Sequence, residues 1–386
     1  RLAARQVAWP RWVGELYLEY HRGTYTSQAR NKRSNRKCEL LFRDAELLSS
    51  VASWLGEPYP RQALNEGWEL ILLNQFHDIL PGSSIGEVYA EAALDHAAIA
   101  QAAQQVRAEA IAALTAGAGG DLVACNSLSW PRADAVHALI PATSGPLELV
   151  DAGGTAVAVQ VLGVQDGHSE IVFVPNAIPA MGWQSFSLRA TAHAPAHSLR
   201  VEGRVIESRF FRVELDEGGC ITSLMDRRCD RELVPRGARA NELQLFQDGP
   251  EREAAWNIHA TFAKRQYAWD DGTAIQVVER GPVRAGLRVT RRYRDTTLEQ
   301  DILLYDRLPR IDFVTRVDWQ ERQVLLKAAF PLDIVSARAA YEVQFGAVER
   351  PTHRNTSWDE ERFEVCAHRW ADLSEAGFCV SLLYVS

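Results

Sequence analysis

No apolar run in the chain reaches the roughly 20 residues that a helix needs to span a bilayer, so no membrane partner is expected. The N-terminus, Arg1-Leu2-Ala3-Ala4-Arg5, lacks an initiator Met and the apolar core of a secretory leader. The C-terminal run Phe378-Cys379-Val380-Ser381-Leu382-Leu383-Tyr384-Val385 stops without a turn, and both ends read as cuts in a longer protein. The six cysteines are scattered with no Cys-x-x-Cys pair, which argues against a disulfide scaffold or zinc ribbon and fits a reducing compartment. Net basic charge is also missing: the formal charge is −8, and no nucleic-acid partner is expected. The one basic cluster, Arg30, Lys32, Arg33, Arg36 and Lys37, has no interleaved aromatics and reads as a solvated loop entering a helix. Internal repeats and low-complexity tracts are absent.

What is present is an ordinary globular composition, 47% hydrophobic and 24% charged over 386 residues, enough for two to four domains. Residues 1–35 open with a strand candidate, Trp12–Glu19, and a polar loop, His21 to Gln28, in which Gly23 permits unusual backbone angles. Residues 36–118 have helical periodicity. Leu41, Ala45, Leu48, Ala52 and Leu55 mark a first helix that ends at Gly56 and Pro58. A second is expected from Gln62 to Ile79, stopped by Pro81-Gly82. A third opens with a predicted capping box, Ser84 with Glu87, and runs to Gly117 over roughly 50 Å. Three helices with short connections predict an antiparallel three-helix bundle.

From residue 119 the texture is β. Short segments recur in 119–198, at Leu122–Cys125, Ala135–Ile140, Ala156–Leu162, Glu170–Val174 and Ser185–Leu188, separated by turn signals such as Asp166-Gly167. Ala190 to Ser198 reads as a linker. Longer strands follow in 199–386, at Arg209–Leu215, Val283–Tyr293, Leu298–Tyr305, Ile311–Trp319 and Leu325–Phe330, enough for a large antiparallel β-sandwich. The fold class is therefore multidomain α+β.

The segment richest in chemistry is Asn74-Gln75-Phe76-His77-Asp78-Ile79-Leu80-Pro81-Gly82-Ser83-Ser84. A neutral imidazole on a rigid helix can ligate a borderline-soft divalent cation, and the neighbouring Asp78 can accept bonds from sugar hydroxyls. Periodicity alone leaves His77 open between a satisfied interior histidine, the favoured reading, and a functional one. His193 and His197 have a metal-like spacing, but Pro195 between them removes the helix that would align them. His96, His137, His168 and His259 have no ligand-like neighbour in sequence. Glu299 and Asp301 share a strand face, and an exposed charged face explains them. A retaining pair needs carboxylates roughly 5–5.5 Å apart, and no pair is nominated.

Three long strings resemble alpha-mannosidases of glycoside hydrolase family 38, in its cytosolic and bacterial branch. They are Gly14 to Gln28 (GELYLEYHRGTYTSQ), Asn74 to Ser84, and the run from Phe345-Gly346 through Arg350-Pro351-Thr352-His353, Asn355-Thr356-Ser357-Trp358-Asp359 and His368 to Trp370-Ala371-Asp372-Leu373-Ser374-Glu375. The resemblance implies a division into 1–35, the end of a catalytic α/β domain; 36–118, a three-helix bundle; 119–198, a small β domain; and 199–386, a large galactose-mutarotase-like sandwich. It implies zinc-dependent, retaining hydrolysis of terminal alpha-linked mannose from oligosaccharides in the cytoplasm. His77 matches a zinc ligand, Asp78 a residue touching mannose hydroxyls, and Tyr25 a residue of the sugar pocket. The remaining zinc ligands, the nucleophile and the acid/base belong to the upstream domain. No catalytic residue is therefore expected in this chain, which is expected to be inactive alone. Homo-oligomerisation is left open. The competing readings are a non-catalytic carbohydrate-binding or structural sandwich module and a retaining glycosidase of other sugar specificity.

Overall fold

A computed structural model describes residues 11–193, 195–249 and 252–384. A helical region comes first and antiparallel sheets follow. Helices α1 (Ala29–Trp54), α2 (Arg61–Asn74) and α3 (Gly86–Leu114) pack on one another around Cys38, Phe42, Leu64, Ile71, Ile99, Ala103 and Val106. The buried stripe of α1, Asn31, Asn35, Cys38, Phe42, Ala45, Ser49 and Ala52, advances by three and four residues, the spacing of one helix face. Gly67 of α2 is required by that packing: a Cβ there would lie 1.9 Å from Cζ of the Phe42 ring.

Four local expectations are corrected. The basic cluster is no entering loop, because α1 begins at Ala29 and carries all five cations; the buried stripe runs on through Asn35 to Asn31, whose amides find partners across the fold. Helix α2 ends at Asn74, not Ile79. The amides of Gln75 and Phe76 bond back three residues, to Leu72 and Leu73, tightening the last turn, and Pro81 has no amide to continue a helix. The capping box does not form, since α3 starts after Ile85 without a side-chain cap and the Ser84 hydroxyl donates to the Asp78 carbonyl instead. Trp12–Glu19 is not a strand, for it pairs with no neighbour and leads into two single 3₁₀ turns, Glu19–His21 and Gly23–Tyr25.

The first β unit is a six-stranded antiparallel sheet of order β1-β6-β3-β4-β5-β2. Its strands are β1 (Leu122–Asn126), β2 (Val136–Pro141), β3 (Leu147–Asp151), β4 (Ala156–Gln165), β5 (His168–Phe173) and β6 (Gly182–Ala190). Strand β3 is not among the predicted segments.

Next come β7 (Arg200–Glu202), β8 (Val205–Glu207), β9 (Phe211–Leu215), β10 (Ile221–Asp226) and β11 (Arg231–Glu232) in one sheet. A second sheet holds β14 (Ala274–Arg280), β15 (Arg284–Tyr293), β16 (Thr296–Tyr305) and β17 (Ile311–Asp318). The two share a core: Ile206, Val213 and Ile221 of the first meet Leu287, Ile302 and Leu304 of the second. On the outer face Arg288 grips Asp301 at 2.6 and 3.0 Å and Arg316 adds a bond at 2.9 Å, so the Glu299/Asp301 face is an ion-pair network. Strands β12 (Glu242–Gln247), β13 (Gln266–Tyr267) and β18 (Val324–Ala329) form a small sheet. The last sheet has order β20-β19-β21-β22, from β19 (Arg338–Val343), β20 (Gly346–Pro351), β21 (Trp370–Glu375) and β22 (Phe378–Leu383). A short helix α4 (Ser357–Glu361) interrupts the β20–β21 connection. No helix of the described residues is long and apolar enough to cross a membrane.

Gly67→Ala sets two effects against each other. Helix propensity favours alanine by about 1 kcal/mol, whereas forcing the fully packed Phe42 ring aside costs about 1–3 kcal/mol. The variant is expected to be less stable than wild type, with a lower urea midpoint at unchanged slope.

Candidate functional site

The two N-terminal strings that carry the resemblance meet in space. After Tyr25 the chain turns at Ser27, whose hydroxyl donates to the carbonyls of Gly23 (2.9 Å) and Ala255 (2.7 Å). Gly23 itself donates to the Trp256 carbonyl at 2.8 Å, and a Cβ on it would press to 3.0 Å from the backbone of Trp256 and Asn257. Gly82, at φ +97°, lies against Ser27 so closely that a Cβ would be 2.6 Å from the Ser27 carbonyl oxygen. Glycine is demanded here twice, by conformation and by approach.

The contact is fastened by α1. The Lys32 ammonium donates to the carbonyls of Ser27 (2.5 Å), Leu80 (2.8 Å) and Pro81 (3.1 Å), and the Asn31 amide donates to the Ile79 carbonyl at 3.2 Å. Three donors thus meet three carbonyls on two segments. Burial pulls Lys32 down to about 8. At the other end of the turn, Gln75 donates to Glu39 (2.8 Å) and Asn35 (3.1 Å) of α1, and Asn74 donates to Asp95 of α3 at 3.0 Å. The segment 74–82 is therefore tied to both neighbouring helices.

On this turn the structure places His77 and Asp78. His77 is not on helix α2 but just beyond it, with its side chain three-quarters exposed and its ring tilted at 46° against Phe76 at a centroid distance of 4.2 Å. It does not lie among the core leucines. Its Nε2 is 3.3 Å from Oδ2 of Asp78. The other Asp78 oxygen, Oδ1, accepts from the Ser83 hydroxyl at 3.1 Å, and the Asp78 carbonyl accepts from Ser84 at 2.7 Å and from the Tyr89 hydroxyl at 3.3 Å. Asp78 is thus held while the edge bearing Oδ2 stays with His77. Tyr25 is partly exposed, and burial of the rest of its ring pushes its phenol up to about 12, so it is a neutral donor at ordinary pH. The loop of Tyr25 and the turn of His77 are joined through Ser27, Gly82 and Lys32.

A second fastening ties residues 15–22 to the distant C-terminal strands. Arg350, nearly buried, grips Glu15 at 2.7 and 2.8 Å and donates to the Cys366 carbonyl at 2.8 Å. That Arg350 bond is the main reason Glu15 titrates below the usual carboxylate range. Tyr17 donates to the Glu364 carbonyl at 2.6 Å, and Arg22 donates to Tyr17 and to the Glu361 carbonyl while lying 4.4 Å over the Phe363 ring. All three resembling strings are therefore physically connected. Sequence reasoning missed both Lys32 and Arg350. The signal for Lys32 was its place beside Asn31 and Asn35 at the start of the buried α1 stripe; nothing local marked Arg350.

The other histidines are placed elsewhere. His137 contacts Glu170 at 3.1 Å and Arg284 at 3.3 Å, whereas His96 is buried on α3 with neither ring nitrogen hydrogen-bonded. Among the described residues no group of three or more His, Cys, Asp or Glu side chains comes together as a metal site.

Lys32→Met leaves the Leu80 and Pro81 carbonyls without their donor and is expected to cost about 1–3 kcal/mol. The pH dependence has a definite sign. The folded value lies below the ordinary 10.5, so the unfolded chain binds more protons between the two. Wild-type stability should rise relative to the variant as pH increases from about 8 to 10.5, in parallel urea titrations.

Comparison with known proteins agrees with this arrangement. Residues 19–114 match the alpha mannosidase middle domain, and residues 206–386 match the glycosyl hydrolases family 38 C-terminal domain. Alpha-mannosidase 2C1 of Homo sapiens is 36% identical over 380 residues, covering 96% of this chain and 34% of that protein. Alpha-mannosidase G of Dictyostelium discoideum is 29% identical, covering 97% of this chain and 37% of that protein. The chain thus spans about a third of the length of these curated relatives. The crystal structure of an alpha-mannosidase from Enterococcus faecalis V583 superposes with a TM-score of 0.75 at 15% identity, over 94% of this chain and 49% of that one. The chain belongs to glycosyl hydrolase family 38, of which it carries the middle and C-terminal domains.

Proposed function

We propose that this chain is the middle and C-terminal part of a cytoplasmic alpha-mannosidase that hydrolyses terminal alpha-linked mannose with retention of configuration. In this reading α1, α2 and α3 act as a three-helix bundle whose first helix reaches back from the expected 36 to Ala29, and 199–386 acts as a galactose-mutarotase-like sandwich. The residues ahead of the bundle are the last stretch of a catalytic domain that supplies the nucleophile and the acid/base. The observation that carries the reading is the position of His77: an exposed imidazole, on a turn fastened to three neighbouring segments, in a chain of this family.

Zinc fits this position as a shared ion only. At this turn the chain offers one accessible imidazole, a suitable ligand type, with the Asp78 carboxylate beside it, and the described residues bring no third donor. When bound, zinc would act as a Lewis acid that holds and orients sugar hydroxyls. His77 contributes a ring nitrogen and takes no part in proton transfer. Its neighbour Asp78, fixed at Oδ1 by Ser83, presents Oδ2 to accept a hydrogen bond from a mannose hydroxyl. Tyr25, kept neutral, is the candidate donor on the opposite segment. Binding and orienting are the tasks of these residues, and the bond-breaking carboxylates lie outside them.

The test uses His77→Ala in a chain that also carries the family's upstream catalytic domain. Zinc content is expected to fall below one ion per chain, and turnover of p-nitrophenyl alpha-mannoside by about 100-fold or more, with an unchanged circular dichroism spectrum. Full zinc and full turnover in the variant would remove His77 from the site. The 386-residue chain alone is expected to give no turnover, and measurable hydrolysis by it would contradict the division of labour proposed here.

A further inference from the structure

Two hairpins in the C-terminal region are clasped tip to tip. The first is β10–β11, whose last cross-strand pair is Asp226 with Arg231. The second is β21–β22, closed by the pair Glu375 with Phe378. Arg231 bridges them: its guanidinium meets the Glu375 carboxylate at 2.6 Å and lies 4.2 Å over the Phe378 ring. An ion pair and a cation–π contact from one side chain fix the two tips together.

Beside this clasp lie two thiols. Of the six cysteines, Cys38 and Cys220 are buried, Cys125 and Cys366 are half-buried, and only Cys229 and Cys379 are exposed. Those two line one open cavity of about 480 Å³, with Asp226, Arg228, Glu375 and Phe378. Cys229 sits in the turn between Asp226 and Arg231, and Cys379 follows Phe378 directly, so each is within two residues of a clasp residue. The Cys229 sulfur is 3.9 Å from the Asp226 carbonyl oxygen, a long and weak contact. Arg228, which lines the same cavity, folds back onto Asp226 through bonds of 2.6 and 2.9 Å.

Sequence spacing could not reveal this. The cysteines are far apart in the chain and form no motif, which is why they read as scattered. The fold brings the two accessible ones to a single cavity next to a guanidinium, the setting in which thiol–disulfide exchange is governed by access and local charge.

We propose that Cys229 and Cys379 form a thiol pair that exchanges with small-molecule disulfides and closes reversibly into a cross-link between the β10–β11 and β21–β22 hairpins. One cysteine, as its thiolate, attacks a sulfur of a disulfide such as oxidised glutathione. The glutathione S–S bond breaks, and the first glutathione leaves with the electron pair and takes up a proton. The second cysteine, also deprotonated, attacks the mixed disulfide at the protein sulfur and displaces the second glutathione. Two protein thiols are oxidised by two electrons, one small disulfide is reduced to two thiols, and the two cysteine protons end on the glutathiones. Because Cys229 lies in a hairpin turn, the approach required by disulfide geometry falls on that turn and leaves the strand ladders in place.

The reduced 386-residue chain is incubated with oxidised glutathione, quenched with acid and analysed intact and after proteolysis. The wild type is expected to lose the mass of two hydrogens and two titratable thiols, and to yield one peptide pair joining Cys229 to Cys379. Closing a loop of about 150 residues also makes the denatured chain more compact, so it should migrate faster on a non-reducing denaturing gel. Cys229→Ser and Cys379→Ser, both at exposed positions, are each expected to retain one glutathione and to show no fast band. Wild-type protein that keeps one or two glutathiones without the cross-link would overturn the proposal, as would a cross-link through any other cysteine or no reaction at all.

Discussion

Three backbone carbonyls converge on one ammonium, and much of the candidate site depends on that convergence. Lys32 collects the carbonyls of Ser27, Leu80 and Pro81, so a loop before the helices and a turn between two of them are held by a single side chain. A lysine is costly to desolvate, and its three accepted hydrogen bonds offset only part of that cost, since burial still pulls Lys32 down to about 8. The fit is completed by Gly82, which lets the two backbones approach more closely than any side chain would allow. His77 and Asp78 stand on the turn so fixed, at its surface and not in its core.

The same logic recurs at longer range. Residues 15–22 have no ladder of their own, yet Glu15, Tyr17 and Arg22 each bond to the 350–366 stretch that the last sheet supplies. Charged groups taken out of water are paired bidentately or over aromatic faces, the arrangements in which Arg recovers most of its lost hydration. The N-terminal and C-terminal parts of the chain thus meet largely through side chains, whereas the two sheets of 200–318 share an apolar core.

Much of the fold was legible in the sequence because it rests on periodicity. The α1 face at Ala45 and Ala52 follows the three-to-four repeat that burial imposes, and β15 and β16 alternate over part of their length, from Leu287 to Tyr293 and from Thr296 to Gln300. Element ends were less legible, since they depend on tertiary partners. Helix α1 reaches back to Ala29 because Asn31 and Lys32 bond the following turn, and α2 stops early because its last amides tighten toward Pro81. The Ser84–Glu87 pattern is a sound capping signal locally, but the Asp78 carbonyl competes for the same hydroxyl. At the site, a resemblance could name His77, Asp78 and Tyr25, but no spacing rule could tell that Ser27 and Gly82 touch or that Arg350 holds Glu15.

Family membership, an exposed imidazole on a fastened turn and a carboxylate held beside it are the observations on which the proposed function rests. Native-state hydrogen exchange tests its physical basis directly, through the amides of Gly23 and Ser27 in the loop and of Leu80 and Gly82 in the turn, all hydrogen-bonded within the fold. If Lys32 makes loop and turn one unit, these amides open together, with free energies agreeing to about 0.5 kcal/mol. Opening energies that differ between loop and turn by more than about 1.4 kcal/mol, a tenfold difference in population, would mean the two segments move independently and would contradict the account.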